Sequence, residues 1–346
     1  MPLEDDCSTM LSNDRSLSCE PKRIVFYLDQ EFNFIDFSLA VDVLRLANTA
    51  VGYRAYDWSL VSLDGSFVRA TCGVDISVDC DLATERKKLF TSARPAMVIV
   101  SGVFPSECKP SSTLSAWLRE CTLCNVLVAA VGSASFVLAH AGLLERKKCA
   151  IHWENLPSFA EKFTKTFPNH TIFQEDSGVW TCPGGMVVFH MMLQILAGEL
   201  GGEVLSSVCD QVLVQRARLP GERQRIPLVT YAGVVNENVI AIVEHMELNL
   251  FEPLSLEDLA SRVRLSRRQV ERLFRRHIGC SPVRYYRELR LERAKLLLAQ
   301  TQIPIVEIAI SCGFASASHF SKCYRDEYGL SPVQARRSEY AQAVGG

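Results

Sequence analysis

Charged side chains between residues 268 and 275 recur at the spacing that places them on one face of a helix. They are Arg268, Glu271, Arg272 and Arg275. Apolar side chains share the opposite face: Val270, Leu273, Phe274 and Ile278. Arginine donates paired hydrogen bonds to guanine edges, and glutamate accepts one from the cytosine amino group. The pattern predicts a helix that buries one face and presents the other to a DNA groove.

A second polar face follows about fifty residues later. It carries Ser318, Ser321, Lys322 and Arg325, with His319 beside it. Each face precedes the same pentapeptide pattern, Gly-x-Ser-Pro-Val, which begins at Gly279 and again at Gly329. Glycine ends helices, serine caps the next one and proline is tolerated in its first turn. The chain therefore contains one helical unit used twice.

Each polar face belongs to a predicted helix-turn-helix unit. The supporting helices are predicted over 256–263 and 305–312, the outward helices over 266–278 and 316–328, and one connecting helix over 282–299. Two recognition helices that enter successive major grooves must lie about 34 Å apart. The side chains predicted to contact double-stranded DNA are Arg267, Arg268, Gln269, Glu271, Arg272, Arg275, Ser316, Ser318, His319, Ser321, Lys322 and Arg325.

The charge distribution agrees with this interpretation. Residues 251–340 hold 16 Lys or Arg against 10 Asp or Glu, whereas the rest of the chain holds 21 against 29. The alternative is a helical bundle with solvated charged faces. Two equivalent faces within the basic third of the chain favour the DNA-binding interpretation.

The stretch EIAISCGFASASHFSKCYRDEYGLSPVQAR closely resembles the signature of AraC/XylS-type transcription regulators, and the resemblance covers residues 236–340. It implies a fold of seven helices with two helix-turn-helix units. It also implies activation of transcription through contact with RNA polymerase near a promoter. Where the family usually shows Phe-Ser-Arg, this chain has Phe320, Ser321 and Lys322. Lysine keeps the charge but loses the paired donors of arginine.

The run VAAVGSASFVLAHAGLL is typical of a strand, a sharp turn and a helix, with Gly132 at the turn. Together with SG after one strand and IHW after another, it resembles the class I glutamine amidotransferase-like superfamily. In that superfamily a nucleophilic cysteine stands where this chain has Gly132, followed by Ser133. Glycine has no side chain to attack a substrate. We therefore predict a non-enzymatic pocket that needs no cofactor or metal. An amidase with an unrecognised nucleophile, such as Ser133, is the enzymatic alternative.

The combination of these two domains resembles the GlxA group of regulators. The runs CAIHWENLPSF and TCPGGMVVFHMML look most like regulators of glycine betaine, carnitine and choline catabolism, with arginine-responsive regulators next. Cations bind to aromatic faces and to carboxylates. The residues predicted to bind a small effector are Glu31, Phe32, Phe34, Gly102, Gly132, Ser133, His152, Trp153 and Glu154. The alternative is an N-terminal domain that only dimerises, with these aromatic side chains in its core.

The bulk composition suits two domains in one chain of 346 residues, 48% of them hydrophobic. Alternating strand and helix patterns predict an α/β domain over 21–216 with a flavodoxin-like, mostly parallel sheet. We further predict a disordered tail over 1–20, a linker over 217–235 and an all-α domain over 236–340. Thirteen scattered cysteines favour reduced thiols. The expected location is the bacterial cytoplasm, with no signal peptide or membrane span, and the expected assembly is a homodimer.

Overall fold

The computed structural model describes residues 20–104, 109–222, 224 and 236–337. Except for Glu20, the predicted tail lies outside the described residues. The later part of the predicted linker also lies outside them.

A seven-stranded sheet forms the centre of the N-terminal domain. The strands of the domain are β1 (Lys22–Leu28), β2 (Tyr56–Ser62), β3 (Val68–Arg69), β4 (Asp75–Ile76), β5 (Cys80–Asp81), β6 (Met97–Ser101), β7 (Leu127–Val131), β8 (Lys148–Ala150), β9 (Phe167–Asn169), β10 (Gln174–Asp176) and β11 (Val179–Cys182). The order in the large sheet is β10-β11-β7-β6-β1-β2-β5, in which only the β10–β11 pair is antiparallel. Strands β3 and β4 form one small separate sheet, and β8 and β9 form another.

Helices cover both faces of the central sheet. They are α1 (Phe34–Val51), α2 (Leu82–Lys88), α3 (Ser112–Leu123), α4 (Ser135–His140), α5 (Leu156–Lys162), α6 (Val187–Leu200) and α7 (Gly202–Gln211). Strand β1 shows why both faces are covered, because Phe26 and Leu28 enter one apolar core while Val25 and Tyr27 enter the other. Alternation of this kind is expected for a strand buried on both sides. The predicted α/β fold with a mostly parallel sheet is confirmed.

Helices make up the regular structure described in the C-terminal domain. They are α8 (Glu237–Leu248), α9 (Leu256–Arg262), α10 (Arg267–His277), α11 (Pro282–Gln300), α12 (Ile305–Ser311) and α13 (Ala317–Tyr328), followed by helical residues 332–337. Each helix-turn-helix unit has its own apolar core, and the long helix α11 contributes to both. Tyr286 packs in the first core, and Leu291 and Leu297 pack in the second.

The two domains touch through α5 and α11, the helix that connects the two helix-turn-helix units. At this contact the Ser158 hydroxyl donates a hydrogen bond of 2.7 Å to Oε1 of Gln300. Within the predicted linker, the Glu222 carbonyl accepts from Ile172 N–H at 2.9 Å, and Gln224 N–H donates to the His170 carbonyl at 3.1 Å. The described linker residues therefore lie along the N-terminal domain. Among the helices that the structure describes, none is both long and apolar enough to span a bilayer.

Candidate DNA-binding surface and effector crevice

The first recognition helix, α10, begins at a capping box. Ser266 accepts a hydrogen bond from Gln269 N–H, and the Gln269 side chain accepts one of 2.7 Å from Ser266 N–H. Val270 and Phe274 are completely buried and fix the inner face of the helix. Capping and burial together hold the outer face in one orientation. That face borders a groove formed by Ser266, Arg268, Gln269, Glu271, Arg272, Arg275 and Arg276.

Three of the residues predicted to contact DNA, Arg267, Gln269 and Glu271, have structural partners within the domain. Arg267 forms an ion pair with Glu257 at 2.8 Å, which ties α10 to α9, and a second one with Glu271 of its own helix at 3.1 Å. These carboxylates raise the pKa of Arg267. Gln269 is occupied by the capping box. Arg268 and Arg272, both exposed on the outer face, are left as the arginines best placed to read bases.

The second recognition helix, α13, repeats this arrangement. Ser316 is its cap and accepts a hydrogen bond of 3.2 Å from His319 N–H. The buried side chains are Phe320, Cys323 and Tyr324, and the exposed ones include Ser318, His319, Lys322 and Arg325. The His319 Nε2 atom lies 3.3 Å from Cys323 Sγ, so this ring is partly held by its own helix. Among the residues of this unit that are predicted to contact DNA, Ser321 is half-buried, whereas Ser318, Lys322 and Arg325 are exposed.

The turn between α12 and α13 requires glycine. Gly313 has a φ of +72°, and a Cβ there would lie 2.6 Å from Pro253 Cγ and 2.7 Å from the Leu250 carbonyl oxygen. The Gly313 carbonyl accepts a hydrogen bond of 2.9 Å from Arg290 on α11. The second unit is thereby fixed both to the connecting helix and to the loop after α8.

In the N-terminal domain, Gly132 lies at the sharp turn after β7 with a φ of +65°. The next residue, Ser133, bridges two strand ends because its hydroxyl accepts from Phe104 N–H and donates to the Gly102 carbonyl, both at 3.0 Å. This hydroxyl is committed to holding the turn. The geometry gives Ser133 a structural role and gives the turn no nucleophile at Gly132.

A buried carboxyl group that the sequence analysis missed lies beside this turn. Asp36, in the first turn of α1, is only 3% exposed and accepts a hydrogen bond of 2.5 Å from Gly185 N–H. A Cβ on Gly132 would lie 3.3 Å from Asp36 Oδ2, and a Cβ on Gly184 would lie 2.7 Å from it. Burial raises the pKa of Asp36 to about 6. The sequence feature that could have identified Asp36 is that it is a single acidic residue within the mostly apolar run FNFIDF.

A second carboxyl group, Asp29, follows β1 at the same edge of the sheet. Its N–H donates to the Ser101 carbonyl at 3.0 Å, and its Cβ lies 2.8 Å from where a Cβ on Gly102 would be. Burial raises its pKa as well. Asp29, Asp36, Gly102, Gly132 and Gly184 form the candidate effector site at this edge of the sheet, for which we use the name effector crevice. It lies at the carboxyl ends of parallel strands, where ligands of open α/β sheets bind.

The aromatic residues predicted to bind the effector lie in different parts of the structure. Phe32 is completely buried in the core, with its ring 5.8 Å from that of Phe37. Phe34 is partly buried against the same core. Trp153 instead lines a cavity against α11, with the His152 ring 5.6 Å from its own.

The two charged residues predicted for the effector site lie at the surface. Glu31 is exposed and has a φ of +59°, and its N–H donates to the Arg69 carbonyl at 2.8 Å. Glu154 is also exposed, and its carboxylate lies 3.7 Å from His152 Nδ1. The nine residues predicted to bind an effector are thus distributed among the effector crevice, the core, the surface and the contact between the domains. Sequence periodicity cannot separate these places, because it shows which residues are apolar but not which strand ends meet.

Both domains match families of known proteins. The profile of the DJ-1/PfpI family matches residues 22–197, and that of a helix-turn-helix domain matches residues 259–338. The chain is 37% identical to the HTH-type transcriptional regulator GbdR of Pseudomonas aeruginosa, over 92% of this chain and 85% of that protein. In the same organism it is 35% identical to ArgR, over 92% and 94%, and 32% identical to CdhR, over 90% of each chain.

These relatives are similar over nearly their whole length, so they share both domains and not the DNA-binding half alone. Each is named as a transcriptional regulator, which confirms the prediction of a regulator rather than an enzyme. The chain belongs to the AraC-type transcriptional regulators that carry a DJ-1/PfpI, amidotransferase-like domain before their helix-turn-helix domain.

Proposed function

We propose that this transcription regulator binds an asymmetric DNA site and responds to a small cationic nitrogen compound held in the effector crevice. The observation that carries the effector assignment is Asp36, a buried carboxyl group against Gly132 at the carboxyl edge of the sheet. Burying a carboxylate is unfavourable unless a cation or hydrogen-bond donors stabilise it. A quaternary ammonium group, as in glycine betaine, carnitine or choline, or the guanidinium group of arginine, supplies that positive charge.

The DNA-binding half of the proposal rests on the two outward faces. Arg268 and Arg272 of α10 take guanine edges in one major groove, and Lys322 with Ser318 takes the next. Arg275 and Arg325 contact phosphates, which position the protein without specifying sequence. Helix α11 joins the two units and sets the distance between them.

Cation binding is expected to depend on pH through Asp36, and choline is the simplest probe. With a pKa of about 6, Asp36 is mostly protonated at about pH 5 and mostly ionised at about pH 7.5. Choline binds the ionised form, so its dissociation constant is expected to rise about tenfold from the higher to the lower pH. Isothermal titration calorimetry of the full chain at both values measures this change.

The matched variant is Asp36→Asn, which keeps the shape of the side chain and removes its charge. At about pH 7.5 it is expected to lose about 1.5–3 kcal/mol of choline binding, the usual contribution of a charge-assisted contact. Its remaining affinity no longer varies with pH between these values. Equal choline affinity in the two proteins, or the same pH dependence in both, rejects the crevice as the cation site.

The second candidate is a regulator whose N-terminal domain only dimerises. The core position of Phe32 favours it, since a predicted ligand contact proves to be a packing residue. Absence of heat on titration with choline, glycine betaine, carnitine and arginine supports this alternative. We propose homodimerisation, activation of transcription and contact with RNA polymerase as expectations from the family resemblance.

A further inference from the structure

The turns of the two helix-turn-helix units have the same hydrogen bonds but different residues. In the first unit, which joins α9 to α10, Arg264 N–H donates to the Ser261 carbonyl at 3.1 Å. Leu265 N–H donates to the Ala260 carbonyl at 2.9 Å. In the second unit, Gly313 and the residue after it make the equivalent bonds at 2.8 Å and 2.9 Å. Both turns therefore form the motif that ends a helix with one residue in the left-handed conformation.

Arg264 is an unusual residue for this position. It has a φ of +56°, whereas the second unit has Gly313 there with a φ of +72°. Glycine is the residue usually found in this conformation, because a Cβ atom is strained by the neighbouring backbone. The Arg264 side chain is exposed. Packing in the first turn therefore does not explain why an arginine stands where a glycine is less strained.

The guanidinium group of Arg264 has no partner within the part of the chain that the structure describes. No carboxylate forms an ion pair with it, and no acceptor takes a hydrogen bond from it, among residues 20–104, 109–222, 224 and 236–337. By contrast, Arg267 at the start of α10 is held by Glu257 and Glu271. The charge of Arg264 is therefore available to a partner outside the chain.

The turn that contains Arg264 lies beside the recognition helix. Ser266, the cap of α10, follows Arg264 by two residues. In helix-turn-helix proteins the N-terminal residues of the recognition helix contact base edges, while the first helix crosses the DNA backbone. A turn that joins these two helices therefore borders the backbone of the bound strand. An arginine at this place is positioned for a phosphate rather than for a base.

The charges of the two units also differ. Residues 256–278 of the first unit hold seven Lys or Arg and three Asp or Glu. Residues 305–328 of the second unit hold two and three. Arginine and lysine supply many of the contacts that proteins make to DNA phosphates. The first unit is therefore the better suited to phosphate contacts, and Gly313 gives the second turn no side chain to make one.

We propose that Arg264 is a further DNA contact, which binds a backbone phosphate beside α10 and has no counterpart in the second unit. This rests on the proposed placement of α10 in a major groove. Phosphates are the same at every sequence, so Arg264 adds affinity without adding specificity. The first unit thus holds the protein on DNA of any sequence more strongly than the second unit does.

The test is Arg264→Gly in the full chain, which gives the first turn the residue of the second. The probe is random-sequence duplex DNA, because a phosphate contact needs no particular bases, and fluorescence anisotropy measures binding between about 50 and 200 mM salt. Loss of one phosphate contact is expected to raise the dissociation constant about 5- to 10-fold near 0.1 M salt. The slope of log affinity against log salt is expected to fall in magnitude by about 0.9.

The melting temperature separates a DNA contact from a structural role. In Arg264→Gly it is expected to equal or exceed that of the unsubstituted chain, because glycine relieves the left-handed strain. Arg264→Gln removes the charge but keeps a side chain, so it is expected to lose the same DNA affinity with no rise in melting temperature. Arg264→Lys keeps the charge and is expected to keep most of the affinity and the salt slope.

Arg45→Gln is the control for net charge, because Arg45 is an exposed arginine of the N-terminal domain. It is expected to leave DNA affinity unchanged. Unchanged affinity and salt slope in Arg264→Gly overturn the proposal, as does a lower melting temperature of that variant. A loss of affinity confined to one selected target sequence also overturns it, since that pattern indicates a base contact. The Arg268→Ala, Arg272→Ala variant tests the placement of α10 separately.

Discussion

Replacing both Arg268 and Arg272 with alanine is expected to weaken binding to the protein's target DNA by about 2–6 kcal/mol, since each base contact contributes about 1–3 kcal/mol. That corresponds to at least about a 30-fold rise in the dissociation constant. Both side chains are exposed on the outer face of α10, and neither belongs to the capping box or to the ion pairs of Arg267. Fluorescence anisotropy with target and scrambled duplexes at one fixed salt concentration measures the effect.

The loss of affinity for target DNA, compared with the loss for scrambled DNA, distinguishes a base contact from a phosphate contact. The double variant is expected to bind target DNA little better than scrambled DNA at the half-site contacted by α10. Arg275→Ala is the comparison and is expected to weaken binding to both duplexes by a similar factor. If the double variant also weakens both duplexes equally, Arg268 and Arg272 touch the backbone and the assigned readout is wrong.

Phe274→Ala is expected to destabilise the first helix-turn-helix unit by about 3–5 kcal/mol, the usual cost of emptying the space of a buried phenylalanine. The side chain is completely buried in the apolar core of that unit, and its ring packs 5.8 Å from that of Tyr285. The second unit has a separate core centred on Phe320 and α12. We therefore expect the unfolding free energy of the first unit to fall far more than that of the second.

Hydrogen exchange measured by mass spectrometry reports the two units separately. Amides of α10 are expected to lose protection in Phe274→Ala, while those of α13 keep most of theirs. Phe251→Ala is the control, because Phe251 is 55% exposed and its removal leaves no cavity. Equal loss of protection in both recognition helices contradicts the division into two cores.

The DNA-binding domain was predictable from sequence almost to the residue, because its signals are local. Ser266 and Ser316, where the recognition helices were predicted to begin, are the caps of these helices, and both helices end within one residue of the predicted position. Caps, glycine stops and apolar periodicity act within one or two turns of helix. Side-chain partners on different helices have no such local signal, so the ion pair between Arg267 and Glu257 was not predicted.

In the effector region, contacts between segments that are distant along the chain could not be predicted from the sequence. The turn at Gly132 and the strand pattern were correctly anticipated, yet Asp36 was missed because it meets Gly184 and Gly185 only when α1 and the segment after β11 fold together. The hairpin of β10 and β11 was also missed, since its short strands carry polar residues around the Ser177–Gly178 turn. Phe32 was proposed as a ligand contact, but an aromatic residue in the core and one in a pocket have the same local pattern.

Selection of bound duplexes from a random DNA pool with the whole chain tests whether two helix-turn-helix units read one asymmetric site. We expect two blocks of specified bases whose centres lie about 10–10.5 base pairs apart, one turn of DNA. The block contacted by α10 is expected to contain guanines, and it is expected to lose specificity in the Arg268→Ala, Arg272→Ala variant. A single enriched block, or no enrichment over the starting pool, contradicts the reading of one site by both units.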